Sequence, residues 1–151
     1  MDDSLAYLAI MRLHRAYADI ATRRAWPEIA ALAIPDARFT FDTRAGRVFE
    51  VVGIEEFGAF GAKSTGGFSF YEYIPLNTVV KISAASARGR SYSLEVSEDR
   101  DTGEWIEFYG MYHDDYVLFE GGWRFASRQY QTIGRRVGGR LQAFPLQDRA
   151  L

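Results

Sequence analysis

Apolar side chains recur at helical spacing at the start of the chain. Between residues 4 and 24 they form a single stripe, which consists of Ala6, Ile10, Leu13, Tyr17 and Ile20. Charged residues occupy the opposite side, so this segment is predicted to be an amphipathic helix. A second, short helix is predicted from Trp26, with Pro27 in its first turn. It ends before Pro35, because the residue that precedes a proline is disfavoured in helical geometry.

The hydrophobic pattern then changes to a period of two. Phe39 and Phe41 alternate with polar residues, and a turn at Gly46 leads into a second strand near Val51. A helical turn is predicted over residues 54–60. After it, longer strands are predicted over residues 69–85, 88–98, 105–119 and 123–133.

The order of these elements indicates the fold class. Helices come first and a run of antiparallel strands follows, which is typical of an α+β domain. A chain of 151 residues has room for one domain, which we place at residues 1–134. Residues 135–151 form an arginine-rich C-terminal tail, for which we expect either a flap or a disordered segment.

Composition argues against several classes of function. Lys and Arg number 18 against 20 Asp and Glu, and the formal net charge of −2 argues against binding to nucleic acid or to a membrane surface. The sequence has no cysteine, and its two histidines lack metal-motif spacing, so we expect no metal site. An acidic N-terminus and the lack of a run of ~20 apolar residues favour a cytoplasmic protein.

Aromatic residues make up 15% of the chain, with eleven Phe, nine Tyr and three Trp. So many tyrosines suit the wall of a cavity for a small hydrophobic or aromatic ligand, although tyrosines with an exposed hydroxyl are commoner. The sequence has neither a dinucleotide fingerprint nor a phosphate loop, and we expect no cofactor.

Several local strings occur in an order that resembles a known superfamily. They are Tyr17-Ala18-Asp19, Trp26, Ile34-Pro35-Asp36-Ala37-Arg38-Phe39, Gly110-x-Tyr112-x-Asp114 and Gly122-Trp123-Arg124-Phe125. With the element order, they resemble the nuclear transport factor 2-like (NTF2-like) or SnoaL-like superfamily, and the spacing is most similar to its scytalone dehydratase-like branch. The resemblance implies a cone, in which N-terminal helices pack on a curved, mostly antiparallel sheet around an internal pocket.

The resemblance also implies where known catalytic groups would fall, and this sequence departs from them. The Tyr–Asp pair of scytalone dehydratase falls on Ala21 and Thr22. Its two histidines fall on Tyr73 and Tyr92. Its second tyrosine and the carboxylate base of ketosteroid isomerase both fall on Phe41. We therefore expect the pocket to persist without the acid–base groups of either enzyme.

The strand around Asp114 has the most informative side chains. Because side chains alternate between faces, one face bears Gly110, Tyr112, Asp114 and Tyr116. The resemblance places Gly110 and Tyr112 on the cavity wall, so we expect this face to point inward. Asp114 is then a candidate general base. The alternative is a structural carboxylate that orients a tyrosine hydroxyl or pairs with Arg124 or Arg128.

The first helix supplies two further candidates. Tyr17 lies nineteen residues before Asp36, a spacing that resembles that of the oxyanion-binding tyrosine of ketosteroid isomerase. It also lies at the centre of the core stripe of the helix, which favours a structural role. His14, one turn earlier, either reaches the cavity mouth or is a buried, hydrogen-bonded histidine.

Two functions from different classes remain open. The first is a cofactor-independent lyase or isomerase, of the dehydratase or cyclase kind, that acts on a hydrophobic oxygenated ring compound by acid–base catalysis. Its expected catalytic residues are Asp114, Tyr112, Tyr73 and Tyr17. Its expected substrate contacts are Phe39, Phe41, Asn77, Tyr92, Gly110, Tyr116 and His14.

The second function is a non-catalytic module for binding or oligomerisation. It would hold a hydrophobic metabolite, or pair with a partner chain through outer-face residues Tyr109, Met111 and Val117. The resemblance implies homo-oligomers, so we expect a homodimer or homotrimer.

Overall fold

A computed structural model describes residues 3–151 of the chain. Its helices are α1 (Asp3–Arg23), a 3-10 helix (Trp26–Ala31) and α2 (Ile54–Thr65). Its strands are β1 (Ala33–Asp42), β2 (Val48–Val52), β3 (Phe68–Ser83), β4 (Ser86–Asp99), β5 (Trp105–Phe119), β6 (Gly122–Val137) and β7 (Arg140–Ala143). In residues 3–151, no helix combines the length and the apolar character needed to cross a membrane.

The strands form one mixed sheet in the order β2-β1-β6-β5-β4-β3. All neighbours are antiparallel except β1 and β6, which are parallel, and β7 pairs with the C-terminal part of β6. The register between β5 and β6 shifts between Tyr109 and Gly110 and again between Asp115 and Tyr116. Such bulges bend a sheet, and this one curves around the helices. The predicted α+β cone is confirmed.

The apolar stripe of α1 packs into the concave side of the sheet. All five residues predicted for the stripe are buried, and α1 contacts β3 and β6. Trp26 fills the space below α2, where its ring lies so close to Gly61 that a Cβ atom there would meet the ring at 2.5 Å. Gly61 thus lets α2 continue to Thr65, five residues beyond its predicted end.

The first strand begins at Ala33, well before the alternation of Phe39 and Phe41 from which it was predicted. Ala33 is paired with Phe125 of β6, after which the pairing resumes only at Arg38. Pro35 lies in this gap, where its missing N–H removes no hydrogen bond from the sheet. The proline therefore ends the helical region, as predicted, but does not delay the strand.

The C-terminal segment lies along the outer face of the sheet. The amide of Gln131 donates to the carbonyl of Pro145 over 2.6 Å, and the backbone N–H of Gln147 donates to Gln131 Oε1 over 3.0 Å. Arg149 forms a 2.7 Å ion pair with Asp115. The expectation of a disordered segment after Gly134 is wrong, because pairing with β6 and these side-chain contacts hold the segment on the sheet.

Candidate active site

A cavity of about 170 Å³ lies between the helices and the inner face of the sheet. Among residues 3–151, seventeen line it, and eleven of these are aromatic. These are Tyr17, Trp26, Phe41, Phe57, Phe60, Phe68, Tyr71, Tyr73, Phe108, Tyr112 and Tyr130. The wall is therefore mostly apolar with a few hydroxyl groups, which suits a hydrophobic ring compound with a small number of polar substituents.

Glu95 is the only acidic or basic side chain in the cavity wall formed by residues 3–151. Its Oε2 atom accepts a hydrogen bond of 2.7 Å from the hydroxyl of Tyr71. Burial raises the pKa of Glu95, and the Tyr71 hydrogen bond and the charge of Arg128 only partly oppose this rise. Burial beside Glu95 also raises the pKa of Tyr71 well above its usual value, so this phenol remains a donor.

The alternation of β4 turns Glu95 into the cavity. In the part of β4 around Glu95, the inward face otherwise has small hydroxyl side chains, namely Ser91, Ser93 and Ser97, all of them buried. Glu95 is paired with Tyr73 of β3 and with Phe108 of β5, and both of these residues line the cavity.

Sequence reasoning missed Glu95 because β4 presents a misleading pattern. Tyr92, Leu94 and Val96 alternate with the serines, and an apolar set normally indicates the buried face of a strand. In the structure these three apolar residues are only half-buried and lie on the outer face. The row of serines was the available signal, since small side chains on a strand leave space beside a cavity.

Asp114 points inward, as expected, but lies behind the cavity wall and not in it. Its Oδ1 atom accepts a 2.8 Å hydrogen bond from Nε of Arg128, and Oδ2 accepts one of 3.3 Å from Nη2. The hydroxyls of Ser91 and Tyr116 donate to Oδ2 over 2.9 and 3.2 Å. This is the geometry of the structural alternative, in which the carboxylate pairs with Arg128 and orients a tyrosine.

Arg128 is a buried cation enclosed by aromatic rings. Its guanidinium carbon lies 4.3 Å from the ring centre of Tyr17, 3.9 Å from that of Tyr112 and 4.5 Å from that of Phe125. Cation–π contacts of this kind hold a desolvated guanidinium in place. Tyr17 and Tyr112 also line the cavity, so the positive charge lies directly behind two of its phenol rings.

His14 extends the buried network towards α1. Its Nε2 atom lies 2.6 Å from the hydroxyl of Tyr116, which in turn contacts Asp114. Burial lowers the pKa of His14 to about 4, against the attraction of the Asp114 charge. His14 is therefore neutral at physiological pH, and it fits the alternative of a buried, hydrogen-bonded histidine.

Three tyrosine side chains meet at the base of the cavity. The ring centres of Tyr17 and Tyr73 are 5.3 Å apart, and that of Tyr112 lies 6.5 Å from each. Burial raises the pKa of all three phenols, although the charge of Arg128 opposes the rise. They remain protonated at neutral pH, so they can donate hydrogen bonds to a substrate oxygen but cannot act as bases.

The structure brings only some of the predicted site residues together. Those in the cavity wall are Tyr17, Phe41, Tyr73 and Tyr112. Phe39 is buried behind Phe57, with ring centres 4.1 Å apart. Asn77 is exposed and Tyr92 lies on the outer face, so neither is placed in the wall.

Gly110 leaves space in the wall for the cavity-lining ring of Tyr130. A Cβ atom at Gly110 would overlap that ring and would lie 2.8 Å from the hydroxyl of Ser93.

The outer face of β5 differs from the expected interface. Met111 is buried, and of the three residues predicted for the interface only Tyr109 and Val117 are partly accessible.

The sequence matches the SnoaL-like domain over residues 2–129. The chain belongs to the SnoaL-like family. The NTF2-like and SnoaL-like resemblance of the sequence is thereby confirmed. A comparison of this SnoaL-like chain with curated proteins gives no match.

Solved structures share the fold of this SnoaL-like chain. A candidate scytalone dehydratase of Novosphingobium aromaticivorans has a TM-score of 0.81 and 20% identity, covering 98% of this chain and 97% of that one. The LinA-type3 hexachlorocyclohexane dehydrochlorinase of Novosphingobium barchaimii has a TM-score of 0.75 and 15% identity, covering 99% and 97%. An NTF2-like protein with a cystatin-like fold, from N. aromaticivorans, has a TM-score of 0.70 and 14% identity, covering 85% and 82%. At such identities the similarity concerns the fold.

Proposed function

We propose that this protein is a cofactor-independent lyase or isomerase that acts on a small, hydrophobic, oxygenated ring compound, with Glu95 as its general base. The observation that supports this most directly is the position of Glu95. It is a carboxylate in an aromatic cavity wall, it is held by the Tyr71 hydroxyl at 2.7 Å, and burial raises its pKa. A base whose pKa lies closer to neutrality is better matched to proton abstraction at physiological pH.

The proposed reaction begins with removal of a proton from a ring carbon next to a carbonyl group. Glu95 takes the proton, and the electron pair of the broken C–H bond moves onto the carbonyl oxygen as an enolate. In an isomerisation, protonated Glu95 returns the proton to another ring carbon. In an elimination, it protonates a departing hydroxyl group, which leaves as water while the electron pair forms the C=C bond. Glu95 is regenerated in both cases.

The tyrosines at the base of the cavity are suited to stabilise the enolate. Tyr17, Tyr73 and Tyr112 are buried, protonated donors, and a hydrogen bond to developing negative charge is most effective where water is excluded. The guanidinium of Arg128 lies 4.3 and 3.9 Å behind the rings of Tyr17 and Tyr112. In this proposal Asp114 is a positioning residue, because it holds Arg128 and does not reach the substrate.

The size of the cavity restricts the substrate. Ligand sites for drug-sized molecules commonly occupy about 300–1,000 Å³. A closed apolar cavity of about 150 Å³ is sufficient for benzene. With about 170 Å³, this cavity suits a substituted single ring better than a steroid.

The named activities of the similar structures support this type of reaction. One is a candidate dehydratase and another is a dehydrochlorinase, and both names describe elimination of a small molecule. In this chain the elimination or isomerisation would depend on Glu95, a residue that the dehydratase resemblance did not point to.

The test is hydrogen exchange between solvent and substrate, which detects proton abstraction whatever product is formed afterwards. Small cyclic ketones such as 2-cyclohexen-1-one and 2-indanone are incubated with the protein in D₂O, and deuterium uptake is followed by NMR. We expect catalysed exchange by the wild type and a rate about 10²–10⁴ times lower for Glu95→Gln. Glu98→Gln, on the exposed part of the same strand, is the matched control.

Equal exchange by the wild type and Glu95→Gln would refute the role of Glu95. Tight binding of these ketones without any exchange or turnover would instead favour the second function, a binding module for a hydrophobic metabolite.

A further inference from the structure

The inner face of the sheet continues past the cavity to a positively charged side chain. Glu95, Phe108 and Arg135 occupy one row across β4, β5 and β6. Directly opposite residues of antiparallel strands share a face, so Arg135 lies on the same face as Phe108, which lines the cavity. Two strand spacings separate the chain positions of Glu95 and Arg135, which amounts to about 9–10 Å.

Two more arginines lie on the adjoining hairpin between β1 and β2. Arg44 follows Thr43, which lines the cavity, and Arg44 and Arg47 together line a groove that Phe144 also borders. The guanidinium groups of Arg44 and Arg135 lie 5.9 and 6.0 Å from the ring centre of Phe144. We call Arg44, Arg47 and Arg135 the arginine rim.

The charge of the arginine rim is only partly neutralised. Arg44 pairs with Asp42 over 3.4 Å and donates to the carbonyl of Pro145 over 3.4 Å. Arg135 donates to the neutral amide oxygen of Gln142 over 3.3 Å, and Arg47 lies 4.8 Å from the ring of Phe49. In residues 3–151, neither Arg47 nor Arg135 has a carboxylate partner within ion-pair distance.

One rim atom is buried without a partner. Nε of Arg44 is shielded from solvent and makes no hydrogen bond to any residue within 3–151. Because an unpaired buried N–H group is unfavourable, turning Arg44 towards an acceptor supplied by a ligand would be favoured, and a guanidinium is well shaped to receive a carboxylate.

We propose that the arginine rim binds the carboxylate of an amphiphilic substrate whose hydrophobic ring lies in the aromatic cavity. The inference rests on the proposed function, since it specifies the substrate as a one-ring carboxylic acid. The acid group lies at the arginine end of the row and the reacting carbon at the Glu95 end. This orientation keeps the substrate's negative charge away from Glu95, which must itself ionise to accept a proton.

Isothermal titration calorimetry with two ligands of the same shape tests the proposal. The probes are 4-isopropylbenzoate and 4-isopropylbenzamide, which differ only in the charged group. For the wild type at low salt we expect the acid to bind at least tenfold more tightly than the amide. Raising the salt concentration should weaken binding of the acid and leave binding of the amide unchanged.

Variants locate the effect. Arg135→Gln should weaken binding of the acid at least tenfold and change binding of the amide less than twofold. Arg47→Gln is a second test of acid binding, because removal of the Arg47 side chain breaks no hydrogen bond among residues 3–151. Arg88→Gln is the control, because Arg88 is an exposed residue of β4 that faces Asp115 on the outer side. Equal binding of acid and amide, or unchanged acid binding in both rim variants, would overturn the proposal.

The two proposals fail in different ways. Exchange of neutral cyclic ketones that depends on Glu95, without any preference for the acid, would retain the proposed function and refute the arginine rim. A preference for the acid that depends on Arg135, without any exchange, would retain the rim and refute the catalytic role.

Discussion

Arg128 donates to Asp114 through Nε over 2.8 Å, and both side chains are almost completely buried. The pair connects β5 to β6 directly behind the cavity. A buried charge that loses its partner is strongly destabilising, at about 3–5 kcal/mol, because water cannot replace the lost interaction. The relationship therefore has consequences for folding as well as for the site.

Replacing Asp114 by asparagine should make the protein less stable. For Asp114→Asn we expect the free energy of unfolding to fall by about 3–5 kcal/mol, measured by urea denaturation at pH 7. The double variant Asp114→Asn/Arg128→Met should recover much of the loss, since it removes the unpaired cation. Unchanged stability of Asp114→Asn together with lost solvent exchange would instead make Asp114 the base.

Replacing Glu95 by glutamine should stabilise the fold in a pH-dependent way. Because the pKa of Glu95 is raised by burial, the folded state retains this proton at pH values where the unfolded chain has lost it. As the pH rises, the buried Glu95 of the wild type must ionise, and the wild type loses stability. Glutamine does not ionise, so the stability of Glu95→Gln relative to the wild type should be greater at pH 8 than at pH 5. Thermal melts at both pH values measure the difference, with Glu98→Gln as control. A gain that does not vary with pH contradicts the prediction.

His14 should make the protein sensitive to acid. Its pKa is about 4 in the folded state, whereas an unfolded histidine titrates near 6.5. As the pH falls from 6.5 to 4, protons bind to the unfolded chain first, so stability decreases by about 3 kcal/mol over this window. His14→Gln should show a flatter dependence in denaturation experiments. His113→Gln is the comparison, and an unchanged slope in His14→Gln would refute the assignment.

Gly110 should not tolerate a side chain. A Cβ atom there overlaps the ring of Tyr130, so Gly110→Ala must displace that ring and should cost about 1–3 kcal/mol. Because Tyr130 lines the cavity, ligand affinity should fall as well. Gly67→Ala is the control, since no atom lies within 4 Å of its added Cβ. Wild-type stability for Gly110→Ala would show that the wall can relax.

Much of the fold could be predicted from periodicity. The stripe of α1 and the four long strands were identified from alternation and turns, with strand starts within two residues of those observed. Periodicity could not show that α2 passes through Gly61, because that depends on the distant ring of Trp26. It also could not show that the C-terminal segment is held by Gln131 and Asp115 on the outer face.

The candidate site was harder to predict than the fold. Alternation correctly predicted that Asp114 points inward. Only three-dimensional packing shows that Arg128 occupies the space between Asp114 and the rings of the cavity wall. Glu95 was missed because the apolar residues on the other face of β4 made that face look like the buried one. Alternation separates the two faces of β4, but it does not show which face the other elements of the fold cover.

The short pairing of β7 with β6 has a consequence for self-association. β1 accompanies β6 only as far as Gln131, which would leave the backbone of Gly134–Val137 as an open sheet edge. Open edges recruit strands from other molecules, and this is a common route to aggregation. By supplying its own strand at Arg140–Ala143, the chain pairs this part of β6 and leaves at the edge only a four-residue strand, which is too short to be a good template for another copy.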